Sequence, residues 1–157
     1  MRDLVAEWRQ EGRIFVWRYP KHNKRAGEWH FTGDPAGCRS IRNLIDRMAG
    51  GSACHRTLRL EQVTSAISAV PNFGEPKADR FTSMRMAFEP DAGDLTMEQD
   101  GDRLILTFGN KRIRALRAAF TEVEVGMGDF GITTSNDRKA KSWWFWWMPW
   151  SAGLYGQ

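Results

Sequence analysis

The sequence predicts an α+β fold: a single domain over residues 1–157, in two layers, with a mostly antiparallel sheet carrying two main amphipathic helices on one face. Three observations lead there. Ile41, Leu44, Ile45 and Met48, and again Ile113, Leu116, Phe120 and Val123, recur at the spacing that lines one side of a helix. Short runs rich in aromatic and β-branched residues flank both stripes. Finally, the order strand–turn–strand–helix–strand occurs twice, over about residues 13–60 and 94–133. Each helix of this ββαβ pseudo-repeat follows a similar corner, Thr32-Gly33-Asp34 in one unit and Thr107-Phe108-Gly109-Asn110 in the other.

Taken in order, Asp3 can cap a short opening helix carrying Leu4, Val5 and Trp8, with Gly12 ending it. Arg13–Tyr19 and Glu28–Thr32 read as a hairpin whose connection, Pro20–Gly27, is basic. Gly33 ends the second strand, Asp34 supplies an N-cap oxygen, and Pro35 sits where a missing N–H costs nothing. The helix runs to Gly50-Gly51, and His55–Leu60 is the next strand. Val63, Ala66, Ile67 and Val70 mark a short helix ended by Pro71. It, the opening helix or another chain must cover the face of the sheet that the main helices leave bare.

Arg80–Phe88 alternates as a strand. Asp94–Gln99 and Arg103–Phe108 form a hairpin about Asp100-Gly101, a strong two-residue turn signal. Gly109 breaks the chain and Asn110 offers a cap for the second main helix, which Gly126 and Gly128 close. Asp129–Thr133 and Ser142–Met148 are the last strands, separated by a polar loop, and Pro149 ends the second.

Composition excludes several classes. Charged residues at 27% and hydrophobic ones at 41% are ordinary for a globular chain. No basic-then-apolar leader opens it, and Trp143–Trp150 is too short to span a bilayer. The expectation is a cytoplasmic protein with no membrane association. The net charge of +4 admits an acidic partner but lacks the density of a dedicated nucleic-acid arm. Cys38 and Cys54 form no disulfide framework. With His22, His30 and His55 they show no metal-ligand spacing, so neither metal nor cofactor is expected.

Catalytic templates fail one by one. Gly128-Asp129-Phe130-Gly131 has kinase-like letters without the glycine loop, lysine strand or His-Arg-Asp loop that give them meaning. No nucleophile elbow, phosphate loop or dinucleotide fingerprint occurs. The chain reads as a non-enzyme, the alternative being a small enzyme whose site, for example Asp129 with Asp137, assembles only in space.

Two features point to binding. Of eight tryptophans, Trp143, Trp144, Trp146, Trp147 and Trp150 crowd the last strand. Alternation sends Trp143, Phe145 and Trp147 one way and Trp144, Trp146 and Met148 the other. Such a strand is either core on both faces or, with one face open, a partner or dimer surface of aromatic anchors. The second feature is basic: Arg18, Lys21, His22, Lys24 and Arg25 on one connection, and Arg138, Lys139 and Lys141 on another. If the two hairpins point the same way, these make one positive patch. Against them, residues 89–102 hold six acids and no base, so the molecule is dipolar.

The corner Phe31-Thr32-Gly33-Asp34-Pro35-Ala36-Gly37, a strand feeding a proline-started amphipathic helix, resembles one in small immunity proteins of bacterial polymorphic-toxin systems. The tryptophan-rich last strand is loosely similar. The resemblance covers about twenty residues and carries over no functional residue. It implies a role in neutralising a toxin, though the basic pI departs from what an inhibitor of a nuclease would show. The expected function is therefore non-catalytic protein binding, with a toxin of acidic surface as the candidate partner. A nucleic-acid binder using the basic loops is the alternative, and a second copy of the chain is a further candidate partner.

Overall fold

The computed structural model describes residues 3–23 and 28–149. Its elements are β1 (Ile14–Trp17), β2 (His30–Gly33), α1 (Pro35–Met48), β3 (Cys54–Arg59), α2 (Ser65–Ala69) and β4 (Ser83–Phe88). There follow β5 (Thr96–Asp100), β6 (Arg103–Phe108), a 3-10 turn (Asn110–Arg112), α3 (Ile113–Glu124), β7 (Phe130–Ile132) and β8 (Trp143–Phe145).

The corner before α1 shows why the chain turns there. Asp34 Oδ1 accepts from Gly37 N at 2.7 Å, capping the helix, and from Arg13 N at 2.9 Å. Asp34 N donates to Arg13 O at 3.1 Å, so one residue joins the helix start to the head of β1. The fit requires bare glycine at position 37, where a Cβ would lie 2.2 Å from Arg13 O. Behind the cap, Ile41, Leu44, Ile45 and Met48 are 0–1% exposed. Each contributes roughly 1.5–3 kcal/mol by leaving water.

The fold is α+β, with α1 and α3 packed together, but the strands form two four-stranded sheets where a single mostly antiparallel sheet was expected. One has the order β1-β2-β8-β7, the other β3-β4-β6-β5. Each contains one parallel pair, β2 with β8 and β4 with β6. The arrangement follows from how the repeated units use their strands. The hairpin β1-β2 lies in the first sheet, and after α1 the chain places β3 and β4 in the second. The hairpin β5-β6 lies in the second sheet, and after α3 the chain returns β7 and β8 to the first. Each ββαβ unit thus extends to ββαββ and lends its last two strands to the other's sheet. The parallel pairs are the seams where the units meet.

A main core lies among α1, α3 and one face of each sheet, and includes Ile14, Phe31, Leu44, Met84, Phe88, Leu106, Phe108, Phe120 and Phe145. A smaller core lies on the other face of the first sheet, where Phe15, Trp17, Trp146 and Met148 pack with Ile67, Val63 and Phe73 from the β3–β4 connection. The expected cover by residues 61–70 is there: Thr64 Oγ1 accepts from Ile67 N at 3.2 Å to cap α2, and Ile67 is buried.

Several local expectations shift. The opening segment is one turn: Asp3 Oδ1 accepts from Val5 N and Ala6 N, but no α-helix continues from it. Arg103 pairs with Asp100, so the β5–β6 turn residues are Gly101 and Asp102, one later than read, with Gly101 at φ 63°. Asn110 Oδ1 accepts from Gly50 N instead of capping α3. β8 ends at Phe145, three residues before the expected Met148.

Candidate partner-binding surface

The tryptophan-rich strand is mostly interior. Trp143 is 1% exposed in the main core and Trp146 is 8% exposed in the smaller one, so neither offers a surface as an anchor. Trp144 is half-buried and stacks on Trp146 with ring centroids 6.1 Å apart. Both faces of this strand are covered because the first sheet is sandwiched between the two cores. Trp147 follows the strand's end and is 37% exposed; Val125 and Met127, just after α3, are exposed too. Gly128 brings that segment close: a Cβ there would sit 2.4 Å from Trp147 N. Trp150 lies outside the described residues.

Within the smaller core, His30 is completely buried and ringed by Trp17, Tyr19, Phe73 and Trp146. Its Nδ1 accepts from Trp146 Nε1 at 2.9 Å. Burial pushes the Tyr19 hydroxyl pKa upward, and that hydroxyl donates to Ser68 O at 3.3 Å. His30 is one of the residues on which a metal site would have to draw, and its acceptor nitrogen is engaged by an indole. Among the described residues no three His, Cys, Asp or Glu side chains gather as a metal site.

The basic residues separate into held and unheld groups. Arg18, read as part of the basic connection, is held: it donates to Asp79 at 2.5 and 3.1 Å and to Gln99 Oε1 at 2.8 Å. Its guanidinium also lies over the rings of Trp29 and Phe81, and its hydrogen bond holds the Asp79 carboxyl below the usual range. Arg42 pairs closely with Glu124, as does Arg39, and Arg117 pairs with Asp46. Arg112, just before α3, donates to Gly93 O, Thr133 O and Asn136 Oδ1. Lys21, Arg138, Lys139 and Lys141 are exposed, and among the described residues their side chains make no ion pair or hydrogen bond. Lys24 and Arg25 lie outside the described residues.

Topology places these unheld cations at one end of the first sheet. β2 and β8 run parallel, so the β1–β2 and β7–β8 connections leave the sheet at the same end. The second connection is built to present its charges. Asp137 Oδ1 accepts from Lys139 N at 2.9 Å, Thr134 Oγ1 donates to Lys141 O at 3.0 Å, and Arg112 clamps the loop's base. Trp147 lies beyond the other end of β8. The expected aromatic anchors and basic loops are therefore not one surface: five residues of extended chain, about 17 Å, separate Ser142 from Trp147.

No helix among the described residues is long and apolar enough to cross a membrane. No protein-family model, curated protein or solved structure matches this chain.

Proposed function

We propose that this chain is a non-catalytic, cytoplasmic protein-binding protein that meets an acidic partner surface through the connections at one end of its first sheet. The observation that carries this reading is the contrast among its cations. Arg18, Arg39, Arg42, Arg103 and Arg117 are ion-paired, whereas Lys21, Arg138, Lys139 and Lys141 stand exposed, without partners among the described residues, on connections that share an end; Lys111 and Arg114 are likewise exposed and unpaired but lie at the start of α3. Exposed charge of one sign gives association rate and orientation more than raw affinity. Trp147, at the other end of β8, supplies an aromatic anchor only to a partner large enough to span both ends. The corner's resemblance to immunity proteins makes a toxin the partner class we favour. Nucleic acid is the competing reading, because the same cations suit phosphate.

The test is a pull-down from the source cells, with and without nuclease, comparing the native chain with Arg138→Glu/Lys139→Glu/Lys141→Glu. The expected result is one stoichiometric protein, indifferent to nuclease, whose affinity in a purified titration falls at least tenfold in the triple variant. Retention that vanishes with nuclease and falls steeply with salt transfers the reading to nucleic acid. A bound protein unaffected by the charge reversals rejects this surface.

A further inference from the structure

The two sheets are treated differently on their second faces. The first sheet's is apolar and covered by the β3–β4 connection. The β7–β8 connection, its counterpart by position in the repeated unit, is much shorter, and no described element covers the corresponding face of the second sheet. That face carries His55, Thr57 and Arg59 of β3, Ser83, Arg85 and Ala87 of β4, then Arg103, Ile105 and Thr107 of β6 and Thr96, Glu98 and Asp100 of β5. All are exposed or half-exposed, while the alternating residues of β4 and β6 are buried.

Register puts Thr57, Arg85, Ile105 and Glu98 in one row across the four strands. Arg59, Ser83, Arg103 and Asp100 form the next. Positive charge lies on the β3–β4 side and negative charge on the β5 side. Arg85, in the middle, is unusual: among the described residues its buried Nε has no hydrogen-bond partner, and it makes no ion pair. Glu98, beyond Ile105 in the same row, is also unpaired among the described residues. The terminal nitrogens of the same guanidinium are not sealed off in this way, so its charge stays open to a carboxylate from outside the chain.

We infer that this face is the interface of a two-fold homodimer, in which Arg85 of each copy pairs with Glu98 of the other. The face is complementary to itself. A two-fold axis parallel to the strands, between stacked faces, sets β3 of one copy over β5 of its partner. The Arg85 guanidinium then reaches past Ile105 to the carboxylate of Glu98, and Arg59 comes over Asp100, which Arg103 of its own chain already holds at 2.8 Å. Ser83, Ala87, Thr57 and Thr107 are small enough to let the faces approach. The face holds no aromatic ring for stacking bases, and its acidic strand repels phosphate, so a nucleic acid does not fit it. Four strands about 4.8 Å apart and some five residues long give a footprint of roughly 350 Å² per copy. This is below the ~800 Å² per partner of standard complexes, so the dimer is weak, with Kd in the micromolar range or above. The inference does not rest on the binding reading above, which uses a different surface.

Sedimentation velocity of the full chain, loaded from about 10 μM to about 1 mM at low salt, tests it. The native chain should shift from monomer towards dimer across that range, less so in high salt. Arg85→Glu and Glu98→Arg should each weaken dimerisation at least tenfold. An equimolar mixture of the two variants should restore it, because each then faces the opposite charge. Circular dichroism melts establish that both variants fold, with Arg85→Gln replacing a reversal that does not. A native chain that stays monomeric throughout, a dimer that survives Arg85→Glu or Arg85→Gln, or a mixture no tighter than either variant alone overturns the proposal. Reversing Arg138, Lys139 and Lys141 should leave self-association unchanged, which separates this outcome from failure of the partner-binding reading.

Discussion

Trp146 donates its indole N–H to Nδ1 of His30 at 2.9 Å, with the two rings nearly parallel, 6.0 Å apart, in a pocket that excludes water. The bond joins β2 to the chain just after β8, at the seam where the two repeated units share a sheet. It is reinforced nearby by Thr32 Oγ1, which donates to Trp146 O at 2.7 Å. The smaller core is therefore tied across the seam by polar bonds as well as by aromatic packing.

Trp146→Phe should cost about 1–2 kcal/mol, because it keeps most of the ring but removes the donor that His30 uses. His30→Ala should cost more, about 3 kcal/mol, by opening a cavity among four aromatic rings and stranding the indole N–H. Urea denaturation followed by tryptophan fluorescence measures both. An effect of His30→Ala below about 1 kcal/mol would show that the pocket collapses without loss.

The corner before α1 makes a second pair of predictions. Asp34→Ala should lose about 1–2 kcal/mol as the helix cap and the hold on Arg13 go together, with Asp34→Asn retaining part of that. Gly37→Ala should be the more damaging, at about 2–3 kcal/mol or more, since its Cβ meets the backbone oxygen of Arg13 and not a side chain able to rotate away. Gly50→Ala provides the contrast. Its φ of +76° costs about 1 kcal/mol, but nothing lies within 4 Å of the new carbon. Equal losses at positions 37 and 50 would refute the steric argument.

Asp79 makes stability depend on acid. The Arg18 hydrogen bond lowers its pKa in the folded chain, so Asp79 contributes stability in full above the ordinary aspartate value of about 3.9. That contribution is lost as the pH falls through the lower, folded value. Asp79→Asn should therefore be less stable than the native chain at neutral pH by about 1–3 kcal/mol, with the gap closing only in strong acid. Parallel denaturation curves from pH 7 downward check this. A gap that closes well above pH 4 would mean that another group is responsible.

Trp143 and Trp147 differ in what their loss should do. Trp143→Ala should cost about 3–5 kcal/mol, because the ring is in the main core against Phe31. Trp147→Ala should leave the melting temperature within a few degrees, the expectation for a partly exposed side chain past the strand's end. If Trp147→Ala unfolds the chain, it belongs to the core and cannot serve as an anchor.

The course of α1 could be read from its residues to the last position of the stripe because every signal there is local. The cap, the proline and the glycines act within a few residues, and Ile41 to Met48 announce their own period. The hairpin β5-β6 was equally legible, apart from a one-residue error at its turn. The opening helix failed for want of length: one capped turn has too little apolar face to propagate. Among the basic residues, the unheld lysines could be named from sequence, but the holding of Arg18 could not. Its partner Asp79 is sixty-one residues away and carries no spacing signal.

By itself, the sequence determined most of the segments that are helix and strand, and that the order ββαβ recurs, though not every boundary. It did so because hydrogen bonds within a turn or helix, and the periods 3.6 and 2, are properties of neighbouring residues. The tertiary structure alone decided that the units exchange their last strands, that two sheets form, and that the tryptophan strand is buried on both faces while no described element covers one face of the second sheet. A strand's alternation shows that it has two faces. What covers each depends on strands and loops from the other unit, and no pattern within the strand records them.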